Sequence, residues 1–419
     1  MSLLLPQRDA ASITAARRVP VDPQTLTAAA EIIEDVRSGG ESALRRHAER
    51  LEDLGPDDKI VYDRGALQAT FDSLPEGQRS LLQRVAGRIE GFAQAQRASL
   101  ADVTVKVKGG EAGHRWIPVA SVGAYAPGGR YPLPSSVLMT VVPARVAGVP
   151  TVWVASPRPA PITLAAASVA GADGLLAVGG AQAIAALAFG TLSPACHLIV
   201  GPGNKWVTAA KKHLFGEVGI DGLAGPSEIL VIADGEAEPT LVASDLLAQA
   251  EHDVEAVPML VTTDPRLVDA VESELARQLE DLPTAEIARQ ALGRGFAVVV
   301  EGLPQAVALA DRLAPEHLAL HVDDPETVVG RLATYGSLFV GGAAAEAFAD
   351  YGAGPNHVLP TGGGARFQSG LSVTTFLRAP TWMRLDTPQE LVEDTAKLAR
   401  LEGLEAHARA ATARSGWVG

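Results

Sequence analysis

From Gly174 to Asn204 the chain has no Asp, Glu, Lys or Arg, a run longer than the ~20 residues that span a bilayer. Its punctuation argues against a span. Gly179-Gly180, Gln182, Gly190, Pro194 and Gly201-Pro202-Gly203 divide it into strand, turn, helix, turn and strand. Strands this apolar are buried on both faces, the condition of a parallel sheet covered by helices. The stretch therefore confines the chain to an α/β architecture. Its neighbours keep the same rhythm: strand candidates at Thr151–Ala155, Gly174–Val178 and His197–Gly201 alternate with helical runs at about 160–170 and 180–190. A second series follows at Glu228–Asp234, Met259–Thr262, Ala297–Glu301, Leu318–Val322 and Ser337–Gly341, so two α/β domains are expected.

The flanks read differently. Residues 20–53 show helical spacing with Gly39-Gly40 as a stop and a second helix from Glu41; a strand candidate at Ile60–Tyr62 precedes a long helix from about Glu76 to Arg97. After Leu371 the pattern is helical, through Pro388–Leu401 and onward from Glu402. A tail with no sheet of its own must cover the α/β body or reach a partner subunit.

At 419 residues the chain exceeds the size at which one core stops growing. The 35 basic and 49 acidic residues give a net charge of −14, which disfavours nucleic acid and anionic membranes and points to a small-molecule partner. Cys196 is the single cysteine, so no internal disulfide or multi-cysteine metal site is available, and a metal needs nitrogen and oxygen ligands. The first residues lack a basic stretch followed by a long apolar one; no secretory leader is expected, and the expected location is the cytoplasm.

Several stretches carry residues able to do chemistry. In Asp245-Leu-Leu-Ala-Gln-Ala-Glu-His-Asp253, Gln249 and His252 lie three apart on an expected helix and can converge on one point, although the polar end of a surface helix has the same pattern. Ala314-Pro-Glu316-His317 sets a carboxyl beside an imidazole at the mouth of a strand, the usual equipment for proton transfer near neutral pH. His321, further inside, reads as a satisfied core histidine. Asp350-Tyr-Gly-Ala-Gly-Pro-Asn356-His357 offers a hard oxygen and an imidazole, and Ala224-Gly-Pro-Ser227-Glu228 a hydroxyl. Three glycine turns, Gly123-Ala-Tyr125-Ala-Pro-Gly128-Gly129, Val178-Gly-Gly-Ala-Gln182 and Gly201-Pro-Gly203-Asn204-Lys205, fall after strands, where such folds bind ligands. None supplies the full dinucleotide fingerprint, since Trp206 stands where its third glycine belongs. Plain turn glycines fit as well. His407, in the tail, reads alone as a surface residue.

Taken in order, these strings, with Glu402-Gly-Leu-Glu-Ala-His407, resemble the histidinol dehydrogenase family over nearly the whole chain. The resemblance implies a zinc-containing enzyme of histidine biosynthesis that oxidises L-histidinol to L-histidine through an aldehyde, using two NAD. It assigns Gln249, His252, Asp350 and His407 to the metal, with His407 coming from the other subunit of a homodimer. It makes His317 the main proton acceptor and Glu316 the group that activates water. Ser227, His357 and Glu402 fall to substrate contact, and Tyr125, Gln182 and Asn204 to NAD. It also implies a division into an N-terminal extension (1–18), a discontinuous catalytic domain (19–119 and 228–370), an NAD-binding domain (120–227) and a C-terminal helical tail (371–419), the two domains being Rossmann-like without the usual glycines. Lys205-Trp206 and the region around Phe367 depart from many relatives. The rival readings are a dehydrogenase of another primary alcohol such as a sulfonated diol, a zinc hydrolase using Glu316, and a two-lobed binding protein.

Overall fold

The computed structural model describes residues 3–13, 21–55, 57–128 and 131–417; Gly129 and residues 14–18 of the expected N-terminal extension lie outside them. Asp22 and Pro23 start α1 (Pro23–Arg50), the Asp22 carboxylate accepting the Thr25 amide at 2.9 Å. The glycine pair expected to stop this helix bends it instead. Gly40 takes φ 55°, and two helical segments run on as one kinked element. Then come β1 (Val61–Asp63), α2 (Arg64–Ser73), α3 (Glu76–Ala98), the exposed strands β2 (Val103–Val107) and β3 (Gly110–His114), and the short β4 (Ile117–Pro118).

The first large sheet is built from β5 (Ser121–Tyr125), α4 (Pro134–Val146), β6 (Thr151–Ala155), α5 (Pro161–Ala170), β7 (Gly174–Leu176), α6 (Gly180–Phe189), β8 (Leu198–Val200), α7 (Lys205–Leu214) and β9 (Gly219–Ile220). Its order is β1-β7-β6-β5-β8-β9, parallel except for β1, which runs antiparallel to β7. Helices α4 and α5 pack together beneath α2 and α3, while α6 and α7 lie beneath α1. That second layer explains the charge-free run. A helix with sheet on one side and helices on the other has no wet face to furnish with charge.

Helices α1–α3, expected to belong with 228–370, share buried core with the 121–220 sheet through Ile33, Leu44, Leu67 and Ile89. Helical periodicity shows that a face is buried but not against what.

The second sheet comprises β10 (Glu228–Ala233), α8 (Pro239–Ala250), β11 (Val257–Thr262), α9 (Pro265–Gln278), α10 (Ala285–Leu292), β12 (Phe296–Val299), α11 (Leu303–Leu313), β13 (His317–His321), α12 (Glu326–Val329), β14 (Ser337–Val340) and α13 (Glu346–Asp350). It is wholly parallel in the order β12-β11-β10-β13-β14. Alternate residues of β10 feed separate cores, Ile229 and Val231 on one face and Leu230 and Ile232 on the other. Near the start of the chain, Leu5 is buried in the first of these and Gln7 bridges to Ala297.

The tail is not helical from its start. Strands β15 (Leu377–Arg378) and β16 (Thr381–Leu385) pair antiparallel with β4 and β3. A two-residue strand is too short to show a period, and Thr381–Leu385, largely exposed, lacks the apolar and polar alternation that marks a half-buried strand. The final helices, α14 (Gln389–Leu401) and α15 (Glu405–Thr412), pack chiefly on each other around Ala396, Ala399 and Ala408, a small core separate from the rest. Leu398, Leu401 and Leu404 are left exposed. Among the described residues no helix is long and apolar enough to cross a membrane.

Candidate active site

Helix α8 ends at Ala250, so Gln249 occupies its last turn and His252, expected further along the same helix, stands just beyond it. The side chains still meet, with Gln249 Nε2 3.2 Å from His252 Nδ1. From the other side, α11 ends in a left-handed turn at Ala314 (φ 53°), which leads through Pro315 to Glu316 and to His317, the first residue of β13. Pairing of β13 with β10 brings Glu316 to Glu228, whose amide donates to Glu316 Oε2 at 3.0 Å, and Ser227 donates to the same carboxyl. The pair therefore lies at the N-terminal edge of the second sheet.

The tautomers of two histidines follow from their neighbours. His317 Nδ1 is 3.0 Å from Gln249 Oε1 and 3.2 Å from the Glu228 carbonyl, atoms that only accept, so the proton sits on Nδ1 and the lone pair on Nε2. His357 Nδ1 likewise donates to the Asp350 carbonyl at 3.1 Å. Both Nε2 atoms are buried and, among the described residues, have no hydrogen-bond partner, as is true of Glu346 Oε2. Burial lowers His317 to about 4 and also lowers His357, so both rings are neutral near pH 7. Burial raises Glu316 and Glu346 well above the usual carboxyl range, and Asp350 adds to both.

Asp350 closes the arrangement, its Oδ2 3.7 Å from His252 Nε2. Ligand atoms of His252, Glu346 and Asp350 all lie within 4.8 Å of one another. Crowded carboxyls in a dry site are costly, and a cation among them relieves both desolvation and repulsion. The nitrogen and oxygen donors suit zinc or manganese. Gln249 stands beside this cluster, its amide oxygen engaged by His317.

A second group lies at the C-terminal edge of the first sheet. Tyr125 ends β5, and its buried hydroxyl, pushed up to about 12 by burial, accepts the Gly180 amide at 3.3 Å. Gln182, in the first turn of α6, donates through Nε2 to Asp53 Oδ2 at 3.0 Å. Asn204 caps α7, its Oδ1 accepting the Trp206 amide at 3.0 Å. Gly201 is required where it stands: φ is 108°, and a Cβ there would come 2.1 Å from the Tyr125 carbonyl. Its amide donates to Asp221 Oδ2 at 2.6 Å and its carbonyl accepts from Lys211 Nζ at 3.0 Å, while Lys211 and Asp221 form a buried ion pair. Beside this turn a small cleft, partly open to solvent, is lined by Gly201, Pro202, Lys211, Val358, Leu359 and Gln368.

The structure thus brings together Ser227, Gln249, His252, Glu316, His317, Asp350 and His357. It leaves Glu402 and His407 exposed on the tail, outside the acidic cluster. Sequence reasoning missed Glu346, though a carboxylate four residues before Asp350 on a helix shares its face. It also missed Asp53, which no motif marks, and the partner of His321, whose Nε2 lies 2.8 Å from Asp245. Cys196 is buried and its thiol raised to about 12 by burial, so it stays protonated.

A neutral buried imidazole beside a carboxyl, a cation-sized nitrogen and oxygen cluster, and a second parallel sheet with ligand-type turns are the equipment of an α/β dehydrogenase. A family profile described as histidinol dehydrogenase matches residues 16–415. The histidinol dehydrogenase of Thermus thermophilus is 47% identical over 400 residues, covering 94% of this chain and 96% of that one. That of Halobacterium salinarum is 46% identical over 399 residues, covering 92% of each. The crystal structure of the histidinol dehydrogenase from Elizabethkingia anophelis aligns with a TM-score of 0.92 at 30% identity, over 99% of this chain and 98% of that one. The chain belongs to the histidinol dehydrogenase family.

Proposed function

We propose that this protein oxidises L-histidinol to L-histidine in two successive hydride transfers to NAD, through L-histidinaldehyde, at the end of histidine biosynthesis in the cytoplasm. The observation that carries the chemistry is the His317 tautomer: a neutral ring with its proton engaged at Nδ1 and a buried lone pair at Nε2 that meets no partner among the described residues. That atom takes the hydroxyl proton as hydride leaves the alcohol carbon. For the second oxidation Glu316, whose raised affinity for protons suits a group that cycles through its acid form, activates the water that adds to the aldehyde. Two unpartnered ring nitrogens fit a substrate rich in donors, and histidinol carries an ammonium group, a hydroxyl and an imidazole N–H. Ser227 and His357, with Glu402 of a second copy, complete the substrate contacts in this reading.

Gln249, His252 and Asp350, with His407 of a second copy, would hold one zinc ion per subunit, and Glu346 borders them. When bound, that ion supplies an orienting charge for the substrate's nitrogens. The tail supports a homodimer, because α14 and α15 pack chiefly on each other and expose Leu398, Leu401 and Leu404. NAD is assigned to Tyr125, Gln182 and Asn204, at the edge of a parallel sheet where α/β folds take nucleotides. The test is NADH formation from histidinol with the zinc-loaded protein. Two NADH per histidinol are expected. A zinc hydrolase, a simple binding protein or a dehydrogenase of a sulfonated diol would give none.

A further inference from the structure

Asp53 lies just beyond the end of α1, its amide donating to the Ala48 carbonyl at 2.8 Å, and it is buried. One carboxylate oxygen, Oδ2, accepts both the Gly179 amide at 2.9 Å and Gln182 Nε2 at 3.0 Å. A carboxylate offers no N–H, so the Gln182 amide must turn its NH2 towards Asp53 and its carbonyl oxygen away. That oxygen, Oε1, is buried and has no partner among the described residues. Buried polar atoms of this kind are normally satisfied, and a ligand donor is the natural partner where the protein supplies none. The Tyr125 hydroxyl uses its lone pair on the Gly180 amide in the same turn, which leaves its proton to donate elsewhere.

We infer that Asp53 is a positioning residue of the cofactor site: by fixing which end of the Gln182 amide faces inward, it presents Gln182 Oε1 as the acceptor for a hydroxyl or amide N–H of the dinucleotide. This rests on the reading of the Gly179–Gln182 turn as part of the NAD site. The same carboxylate holds the Gly179 amide, so turn and side chain are set by one group. That group comes from the helical layer outside the sheet, which links the scaffold directly to the ligand edge.

The test is NADH binding, followed by fluorescence titration of the full-length protein without histidinol, for wild type, Asp53→Asn, Gln182→Ala and the double variant. An amide at position 53 can donate to Gln182 Oε1 and turn it inward. Asp53→Asn is expected to weaken NADH binding about tenfold, the order of one lost hydrogen bond. The KM for histidinol should stay unchanged and Tm should not fall. Gln182→Ala should weaken binding to a similar extent, and the double variant no further. Wild-type NADH affinity in Asp53→Asn alongside weakened binding in Gln182→Ala overturns the role of Asp53 and leaves the cofactor reading standing. Wild-type affinity in Gln182→Ala overturns the cofactor reading itself. A lowered Tm with both KM values raised alike, or a double variant weaker than Gln182→Ala alone, also overturns the inference.

Discussion

The Lys211–Asp221 pair permits a quantitative prediction. Side-chain exposure is 3% for Lys211 and 6% for Asp221, so neither charge is shared with solvent. Between them they hold the amide and the carbonyl of Gly201. Replacing Lys211 by Met keeps much of the volume and strands the Asp221 charge in a dry site, for which breaking a buried pair costs about 3–5 kcal/mol. With an unfolding entropy of about 2.1 cal/mol/K per residue, a 419-residue chain unfolding as one unit should lose about 3–6 °C in Tm. Adding Asp221→Asn removes the stranded charge while keeping an acceptor for the Gly201 amide. The double variant should therefore be more stable than Lys211→Met alone. Calorimetry and denaturant titration measure both. A Lys211→Met protein within about 1 kcal/mol of wild type would refute the reasoning, since ion pairs that water reaches are worth only that much.

His317→Gln should lower turnover by about 10²–10⁴-fold with zinc content unchanged, whereas Glu316→Gln should release aldehyde and bring the NADH yield towards one per histidinol. Equal loss of both oxidations in Glu316→Gln would sink the division of labour. Burial raises the Asp53 carboxyl, so the folded state holds that proton more tightly than the unfolded chain does. Its stabilising contribution is present at low pH and is lost as pH rises through the folded value. Asp53→Asn should therefore melt higher than wild type at neutral pH, by a margin that shrinks on acidification towards the unfolded value of about 3.9. A margin that widens on acidification would contradict this. If His407 is supplied by a second copy, mixing inactive His317→Gln with inactive His407→Ala should restore roughly a quarter of full activity on random reassortment, because hybrid dimers hold one intact site. No recovery in verified hybrids would exclude a shared site.

The sequence and the structure agree where a local pattern carries the information. The glycine-punctuated apolar run became β7, α6 and β8, and the second strand series became a fully parallel sheet. Glu316 and His317 could be singled out because an acid and an imidazole enter a strand together. Partnership between distant residues was less legible. Nothing local told which sheet α1–α3 would cover, and Asp53 had no motif to mark its reach to Gln182. Asn204, assigned to the cofactor through family resemblance, proved also to be a helix cap, a role its position before Lys205-Trp206-Val207 would have allowed. Glu346 was hidden among alanines whose composition signals only a helix.

His317, the proposed proton acceptor, belongs to a strand rather than a loop, with its backbone paired between β10 and β14. Its aim is fixed by the ladder that stabilises the domain, so amide exchange at this position should require opening of the sheet rather than local fraying. Surface loops can lengthen or vary without moving it. Changes to the registry of β10, β13 and β14 would displace the His317 ring directly, which couples its placement to the endurance of the fold.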